Sequence, residues 1–540
     1  MNPRPATPPR RLVLASGPDG RVSPPTTVSL LHGAAAGTVS AATTLAAGQL
    51  GAALVPAATS PVIGAARAVI AATPTSLHEA LVSRAGTADK PALLAGVTVV
   101  VLLLGAAVGV RARTSRATGR AGVLLLATVA FVVTSTQPGV HAAATGLVLI
   151  AAATLGGAVL ELLLRSDGND RLSPAEPEPN DPSVDRRKFL VRCGAVLAGA
   201  AWALAGARSL GAARSVEAIR AAVRLPDPGR RAAGVVPASP DVPGLTPLVT
   251  SNDRFYKIDT AIGGDPQVDP GDWSLSIGGL LDRPRTLTYA ELLAMPQTET
   301  WATIGCVGND VGGSLVGTAR WEGVLLADVL RAAGPRAAAS QVAMTSVDGY
   351  TGAFPLTFAL DGRHALIALG MNGEALPVAH GFPARIVVPG LYGYESAVKW
   401  LSRLDLVDDS YRAFWVQRGY AKAAAFRTQS RIDVPVAGHL ATRDGAGDVL
   451  VAGMAWAPHR GIALVEVSID HGSWQPVTLA PDLLGPDTWR PWTWHWHATP
   501  GTHELRVRAT DATGEIQPGR PRGVLPDGAT GWHTVDVTVA

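Results

Sequence analysis

A multi-domain chain is predicted, with transmembrane α-helices first, a mixed α+β domain next and an immunoglobulin-like β-sandwich last. Three observations predict it. Residues 22–66, 91–110 and 121–160 carry no Asp, Glu, Lys or Arg, and a bilayer span needs about 20 apolar residues. Beyond residue 210, tryptophans, mixed charges and Pro/Gly turns replace the Ala/Val/Leu/Gly runs. From residue 427 onward the apolar residues alternate with a period of two, the signature of half-buried strands. A length of 540 residues, at roughly 150 residues per domain, leaves room for three or four units.

The apolar half, residues 1–185, reads as four spanning helices near 27–52, 91–110, 121–137 and 141–164. Pro56, Pro61 and Pro74 break the connection after the first, and Ser135-Thr-Gln-Pro-Gly139 separates the third from the fourth. A fifth apolar helix, within residues 186–212, runs over 189–207. Basic residues set the direction. Arg4, Arg10, Arg11 and Arg21 precede the first span, Arg111, Arg113, Arg116 and Arg120 separate the second from the third, and Arg165, Arg171, Arg186, Arg187, Lys188 and Arg192 follow the fourth. Those faces are expected to be cytoplasmic, which makes the protein a multi-pass cell-membrane protein and puts everything after residue 210 on the extracytoplasmic side. Asp185-Arg186-Arg187-Lys188-Phe189-Leu190 is similar to a twin-arginine export signal, though internal; ordinary positive-inside anchoring accounts for it equally well. His32 and His141 fall on opposite sides of the bilayer, His78 lies in a loop, and Cys-x-x-Cys-His is absent from the sequence, so no haem is expected. The net charge of +3 comes from arginines beside apolar runs rather than from a basic stripe with interleaved aromatics, which argues against nucleic-acid binding.

Residues 213–245, Arg/Ala-rich and then Pro-rich, read as a stiff linker. In 246–426, Trp273-Ser-Leu-Ser-Ile-Gly278 alternates like a strand and Thr288-Tyr-Ala-Glu291 is a capped helix start. Residues 325–333 give a second short helix, and 384–389 a short buried strand by their β-branched run. In 427–540, strands at 463–469 and 474–479 flank the hairpin turn Asp470-His-Gly-Ser. Residues 503–509 send Leu505, Val507 and Ala509 to one face, and seven or so short strands suggest the sandwich. Trp489, Trp492, Trp494 and Trp496 are read as structural in preference to sugar-binding; His495 and His497 are weak metal candidates.

Chemistry concentrates at Trp301-Ala-Thr-Ile-Gly-Cys306-Val-Gly-Asn309-Asp310. The chain has two cysteines, and Cys193 sits in an apolar segment, so neither a disulfide framework nor a two-cysteine zinc site is available. Cys306 acts alone or is a buried small apolar residue. A strand-like run ends at Gly305, and the glycines that follow permit close backbone approach.

With Ser251-Asn252-Asp-Arg-Phe255-Tyr256, Ser346-Val-Asp348-Gly-Tyr350, Met371-Asn-Gly-Glu, His380-Gly-Phe-Pro-Ala-Arg385 and Ala397-Val398-Lys399-Trp400, the Cys306 block resembles the sulfite-oxidase-type molybdopterin oxidoreductases, in their membrane-anchored branch. The resemblance implies a molybdenum–molybdopterin cofactor, with Cys306 as a metal ligand, since a soft thiolate suits that metal. It further implies that Asn252, Phe255, Tyr256, Ser346, His380, Arg385, Ala397, Val398 and Lys399 hold the cofactor, with Arg385 suited to phosphate oxygens. A small-molecule substrate, a separate electron carrier and a homodimer formed through the C-terminal domain follow from the same resemblance. Asp348, Tyr350 and Lys257 are the residues expected to handle substrate. The family lines its sulfite pocket with an arginine pair and a tyrosine, whereas the nearest positions here hold Lys257, Asn309-Asp310 and Leu369, so the pocket is altered, with Lys257 and Arg320 left to provide positive charge. Three readings stay open: oxygen-atom transfer in the manner of sulfite oxidase, reduction of a sulfoxide or other S-oxide, and a non-enzymatic surface binding protein with a degenerate pterin pocket.

Overall fold

The computed structural model describes residues 27–55, 58–73, 89–137, 140–165, 182–213, 216–232, 234, 240–482 and 484–540. The expectations for Arg4, Arg10, Arg11, Arg21, His78 and Arg171 lie outside them. The chain divides into two compact units. The smaller takes the described parts of Met1–Val62, Leu94–Val132 and Ala143–Ala207; the larger takes those of Ile63–Leu93, Val133–Ala142 and Arg208–Ala540.

Among the described residues of the N-terminal part are six helices: α1 (Thr27–Leu54), α2 (Pro61–Ala72), α3 (Asp89–Thr114), α4 (Arg116–Ser135), α5 (Ala142–Arg165) and α6 (Pro182–Ala213). Among the described residues, four segments are long and apolar enough to cross a membrane: Lys90–Thr114, Arg116–Ser135, Ala142–Arg165 and Arg186–Leu210. α1, expected to be a span, is 28 residues long but is not among these four; Thr, Ser, Gly and Gln interrupt its apolar residues, and it buries Ala36, Val39 and Ser40. Small residues let α1 and α3 approach closely: a Cβ on Gly37 would stand 2.0 Å from the Gly105 carbonyl oxygen, and one on Gly109 2.1 Å from that of Gly33. Pro61, expected only to break the chain, opens α2 at the helix position that tolerates a missing N–H. α6 begins before Phe189, so Arg186, Arg187 and Lys188 lie on its early turns, exposed.

In the larger unit, after the short helix α7 (Glu217–Ala222), ten strands form two sheets. The first has the order β2 (Arg285–Thr288), β1 (Ser274–Gly279), β10 (Leu401–Val407), β5 (Gln341–Ser346), β6 (Thr351–Pro355). The second runs β3 (Gln297–Gly305), β4 (Val316–Leu325), β7 (Leu366–Met371), β8 (Glu374–Ala375), with β9 (Arg385–Val387) also paired to β7. Helices α8 (Tyr289–Ala294), α9 (Leu326–Ala333) and α10 (Gly393–Ser396), with a one-turn helix at Leu356–Leu360 before the last, pack with these sheets. α8 starts on a full capping box: Glu291 N–H donates to Thr288 Oγ1, and Thr288 N–H donates to the Glu291 carboxylate. β3, β7 and β9 are buried along their whole length, as expected of strands covered on both faces, and Trp321, Phe354, Phe382 and Leu366 fill the core between the layers.

Nine strands follow, two more than expected. One sheet is β11 (Gln429–Val434), β13 (Asp448–Trp456), β17 (Arg490–His497), β16 (Thr478–Leu479); the other is β12 (Leu440–Ala441), β19 (His533–Val539), β18 (Gly501–Asp511), β14 (Ile462–Ile469), β15 (Gln475–Pro476). One of the two arises because the run expected as one strand after the Asp470 turn splits at Val477: β15 pairs with β14 in one sheet and β16 with β17 in the other. Leu505, Val507 and Ala509 are fully buried between the sheets with Val451, Val465 and Trp492. Trp489, Trp492 and Trp496 are buried too, which supports their structural reading. His495 and His497 are exposed.

Candidate active site

Cys306 stands one residue beyond β3, at the start of the turn that leads into β4. The turn holds itself by its own backbone: Cys306 N–H donates to Leu315 C=O (2.9 Å) and Asn309 N–H to Cys306 C=O (3.1 Å). The buried Asn309 closes it by accepting Leu315 N–H at Oδ1 (2.7 Å). A side chain at Gly305 has no room, since its Cβ would lie 2.3 Å from Phe426 Cζ. The thiol is therefore fixed in place while remaining partly exposed. Its sulfur accepts Gly308 N–H at 3.4 Å, and burial pushes its pKa up to about 11. Free Cys306 thus keeps its proton at neutral pH, and a metal must displace it to bind. Tyr256, Tyr350 and Tyr392 lie within electrostatic range of the sulfur, and burial raises the pKa of each, so the surrounding phenols are neutral.

A second group gathers around β9. Arg385 is 5% exposed; its Nη1 and Nη2 donate to the carbonyls of His380 (3.0 Å) and Ala397 (3.2 Å), while its buried Nε–H has no partner. Its guanidinium lies 4.8 Å from the centre of the Trp321 ring, and burial pushes its pKa down to about 10, still charged. His380 Nε2 is 2.8 Å from Asn252 C=O. A carbonyl only accepts, so Nε2 carries the hydrogen; burial pushes the ring's pKa down to about 4, which leaves Nδ1 as a lone pair. Phe255 holds the ring edge-on and packs against Trp321. Lys399 Nζ donates to Asp259 Oδ2 (2.7 Å) and Ala379 C=O (3.1 Å), and burial lowers its pKa to about 8.

The remaining expected residues divide by what their polar atoms do. Asn252 is taken up internally: its Nδ2 donates to Glu374 (2.6 Å) and Met371 C=O (3.3 Å), and its Oδ1 accepts from Asn372 (2.8 Å). Ser346 is buried and accepts Asp348 N–H. Asp348 accepts Tyr350 N–H at 3.2 Å, a turn-forming bond, and the Thr260 hydroxyl at 3.3 Å. Tyr350 donates its hydroxyl to Tyr394 C=O at 2.7 Å. Val398 is buried beside Ala397, and its carbonyl accepts Ile386 N–H. Lys257 is bound to Asp265 at 2.7 Å with its side chain 45% exposed, and Arg320 pairs with Glu299 at 3.5 Å; both cations have carboxylate partners.

Sequence reasoning missed Glu395, on α10. It is fully buried, one oxygen accepts Ala424 N–H (2.9 Å), the other has no partner, and burial pushes its pKa up to about 8. The signal was there: an acid inside Leu391-Tyr-Gly-Tyr-Glu395-Ser-Ala-Val, a stretch otherwise without charge. It missed Asp259 as well, 5% exposed and shared by Lys399 and Lys90; no local pattern announces a long-range ion pair.

A lone fixed thiol and a buried charged guanidinium with an orphan N–H suit a cofactor that brings a soft metal and anionic oxygens. Among the described residues no cluster of three His, Cys, Asp or Glu could hold a metal instead. Comparison with known proteins defines the class: residues 262–415 match the family model described as an oxidoreductase molybdopterin binding domain. The chain is 30% identical over 325 residues to mitochondrial sulfite oxidase of Rattus norvegicus, covering 51% of this chain and 59% of the rat protein. It is 32% identical over 323 residues to sulfite oxidase of Gallus gallus (50% and 69%) and 30% identical over 353 residues to that of Arabidopsis thaliana (54% and 88%). The chain is a molybdopterin-dependent enzyme of the sulfite oxidase family.

Proposed function

We propose that this protein is a membrane-anchored, extracytoplasmic molybdopterin oxidoreductase that transfers an oxygen atom to or from a small substrate and exchanges two electrons with a separate carrier. The carrying observation is Cys306, a lone thiol fixed at the end of a buried strand inside the family domain. Arg385, His380 and Lys399 would hold the cofactor, with Tyr256, Phe255, Asn252, Ser346, Ala397 and Val398 shaping its pocket. When bound, the molybdenum supplies the two-electron oxygen-transfer chemistry. The chain's own residues position it: Arg385 offers its unpaired Nε–H, His380 its Nδ1 lone pair, and the neutral phenols of Tyr256, Tyr350 and Tyr392 keep uncompensated negative charge away from the sulfur.

Membrane anchoring is supported by the four long apolar helices. The extracytoplasmic side is supported by the basic-residue distribution. It is supported also by the grouping of the described residues of 63–93 and 133–142, which take in parts of the two connections that this direction leaves outside, with the catalytic domain. The basic start of α6 fits twin-arginine export of a domain loaded in the cytoplasm. The two facing sheets at 429–539 fit an immunoglobulin-like sandwich with a dimerisation role. A second reading, reduction of a neutral S-oxide, is favoured by the pairing of Lys257 with Asp265 and of Arg320 with Glu299, since neither cation is left to draw in a dianion.

Elemental analysis and pterin fluorescence on detergent-purified protein test the reading. About one molybdenum per chain is expected, with sulfite-dependent reduction of an artificial acceptor, or sulfoxide-dependent oxidation of an artificial donor, separating the two substrates. In Cys306→Ser, activity should fall at least about a hundredfold. Full activity in that variant, or metal-free protein from a molybdenum-replete host, would overturn it.

A further inference from the structure

Asp259 is a buried carboxylate with two ammonium partners. Oδ2 accepts from Lys399 Nζ at 2.7 Å, and Oδ1 accepts from Lys90 Nζ, on the first turn of α3. Lys399 also donates to Ala379 C=O, so two of its three N–H groups have protein acceptors. Counted as charges, Lys90, Asp259 and Lys399 sum to +1; Asp259 and Lys399 alone would sum to zero. Helix α2 approaches the same domain at two further points. Ile63 fills the space where a Cβ on Gly263 would lie, 2.4 Å from Ile63 Cδ1, and Arg67 is within electrostatic range of Asp348.

We propose that Lys90 is a positioning residue of the cofactor site: by sharing Asp259, it leaves the buried Lys399 ammonium with charge and an N–H to offer an anionic oxygen of the bound cofactor. Without Lys90, Asp259 neutralises Lys399 fully, in surroundings where burial already disfavours the charged ammonium. The inference rests on the molybdopterin reading above. It adds that residues preceding the catalytic domain by more than a hundred and fifty positions tune how firmly that domain holds its cofactor.

The test uses full-length, cofactor-loaded protein in detergent, incubated with inorganic phosphate as competing anion, with molybdenum and pterin remaining on the protein followed over time. Lys90→Gln should release both about tenfold faster, the size of one charge-assisted hydrogen bond, and Lys90→Arg should match the native protein. The double variant Lys90→Gln/Asp259→Asn, which restores the net charge of +1, should return to within about twofold of native release. A merely packing role for Lys90 predicts the opposite order, with the double variant at least as fast as Lys90→Gln; that result, or native release in Lys90→Gln, overturns the proposal. Thermal melts report whether each variant is folded, and if the double variant is not, the contrast between Gln and Arg at position 90 decides. Native protein that never carries molybdenum sinks the molybdopterin reading and this inference together, whereas loaded protein indifferent to position 90 sinks this inference alone.

Discussion

Glu395 and His380 place opposite pH dependences in one domain. An acid whose pKa rises to about 8 on folding binds its proton more tightly in the native state. The stability it brings is complete below the unfolded value near 4.5 and is lost as the pH climbs through 8. His380, pushed down to about 4 from 6.5, acts the other way: its neutral burial favours folding above pH 6.5 and penalises it as the pH falls towards 4. Glu322, raised by burial to about 7 beside Glu299, adds to the Glu395 effect and completes its own loss about one pH unit lower. Between pH 7 and 8 both carboxyls titrate, and Lys399, lowered to about 8, begins to oppose them, because its earlier loss of a proton in the folded state favours folding as the pH rises. In cofactor-free protein the Glu395 share of the slope is a loss of up to about 1.4 kcal/mol per pH unit, and Glu395→Gln should remove that share; thermal melts of the two proteins across the range read the difference. Cys306 was legible because the chain has so few cysteines. Glu395 was legible only as a lone acid in an uncharged stretch; its burial was not, because its partner, Ala424 N–H, meets it only in the fold.

Elements deliver the thiol, and the end of β3 is the critical one. Gly305→Ala pushes a methyl group onto Phe426, whose ring stacks on Tyr392 with centroids 4.4 Å apart, so the strand end must shift and carry Cys306 with it. A displacement of about 1 Å in a reacting group costs on the order of a hundredfold. Steady-state kinetics should show that loss in kcat, with the molybdenum content retained. Farther from the site, Thr288→Ala removes one arm of the capping box and should cost about 1 kcal/mol by thermal or denaturant melts, leaving activity per folded molecule unchanged. The start of α8 and the strand ending at Gly305 were readable from local signals, a cap residue and a β-rich run. The split at Val477 was not, because a strand that changes sheets keeps its alternation, and only the partners on each side show where it turns. α6 likewise began earlier than its apolar run, since helix continues through basic residues as readily as through apolar ones.

For the whole molecule, the prediction is one of sidedness. In a background lacking Cys193 and Cys306, a cysteine at the exposed Thr502 should react with a membrane-impermeant maleimide on intact cells, and one at the exposed Thr114 only after permeabilisation. Reversed labelling would overturn the extracytoplasmic reading. Composition revealed the division into apolar and mixed halves. It could not reveal that the described residues of 63–93 and 133–142 fall into the same compact unit as the catalytic domain, because such grouping depends on contacts between distant parts of the sequence. The shared carboxylate of Asp259 carries an evolutionary consequence. A cation at position 90 and an acid at position 259 form one inherited character: in relatives that keep the leading helices the two should be gained and lost together. In relatives that have shed those helices, the acid should remain with Lys399 as its sole partner or drift to a neutral residue.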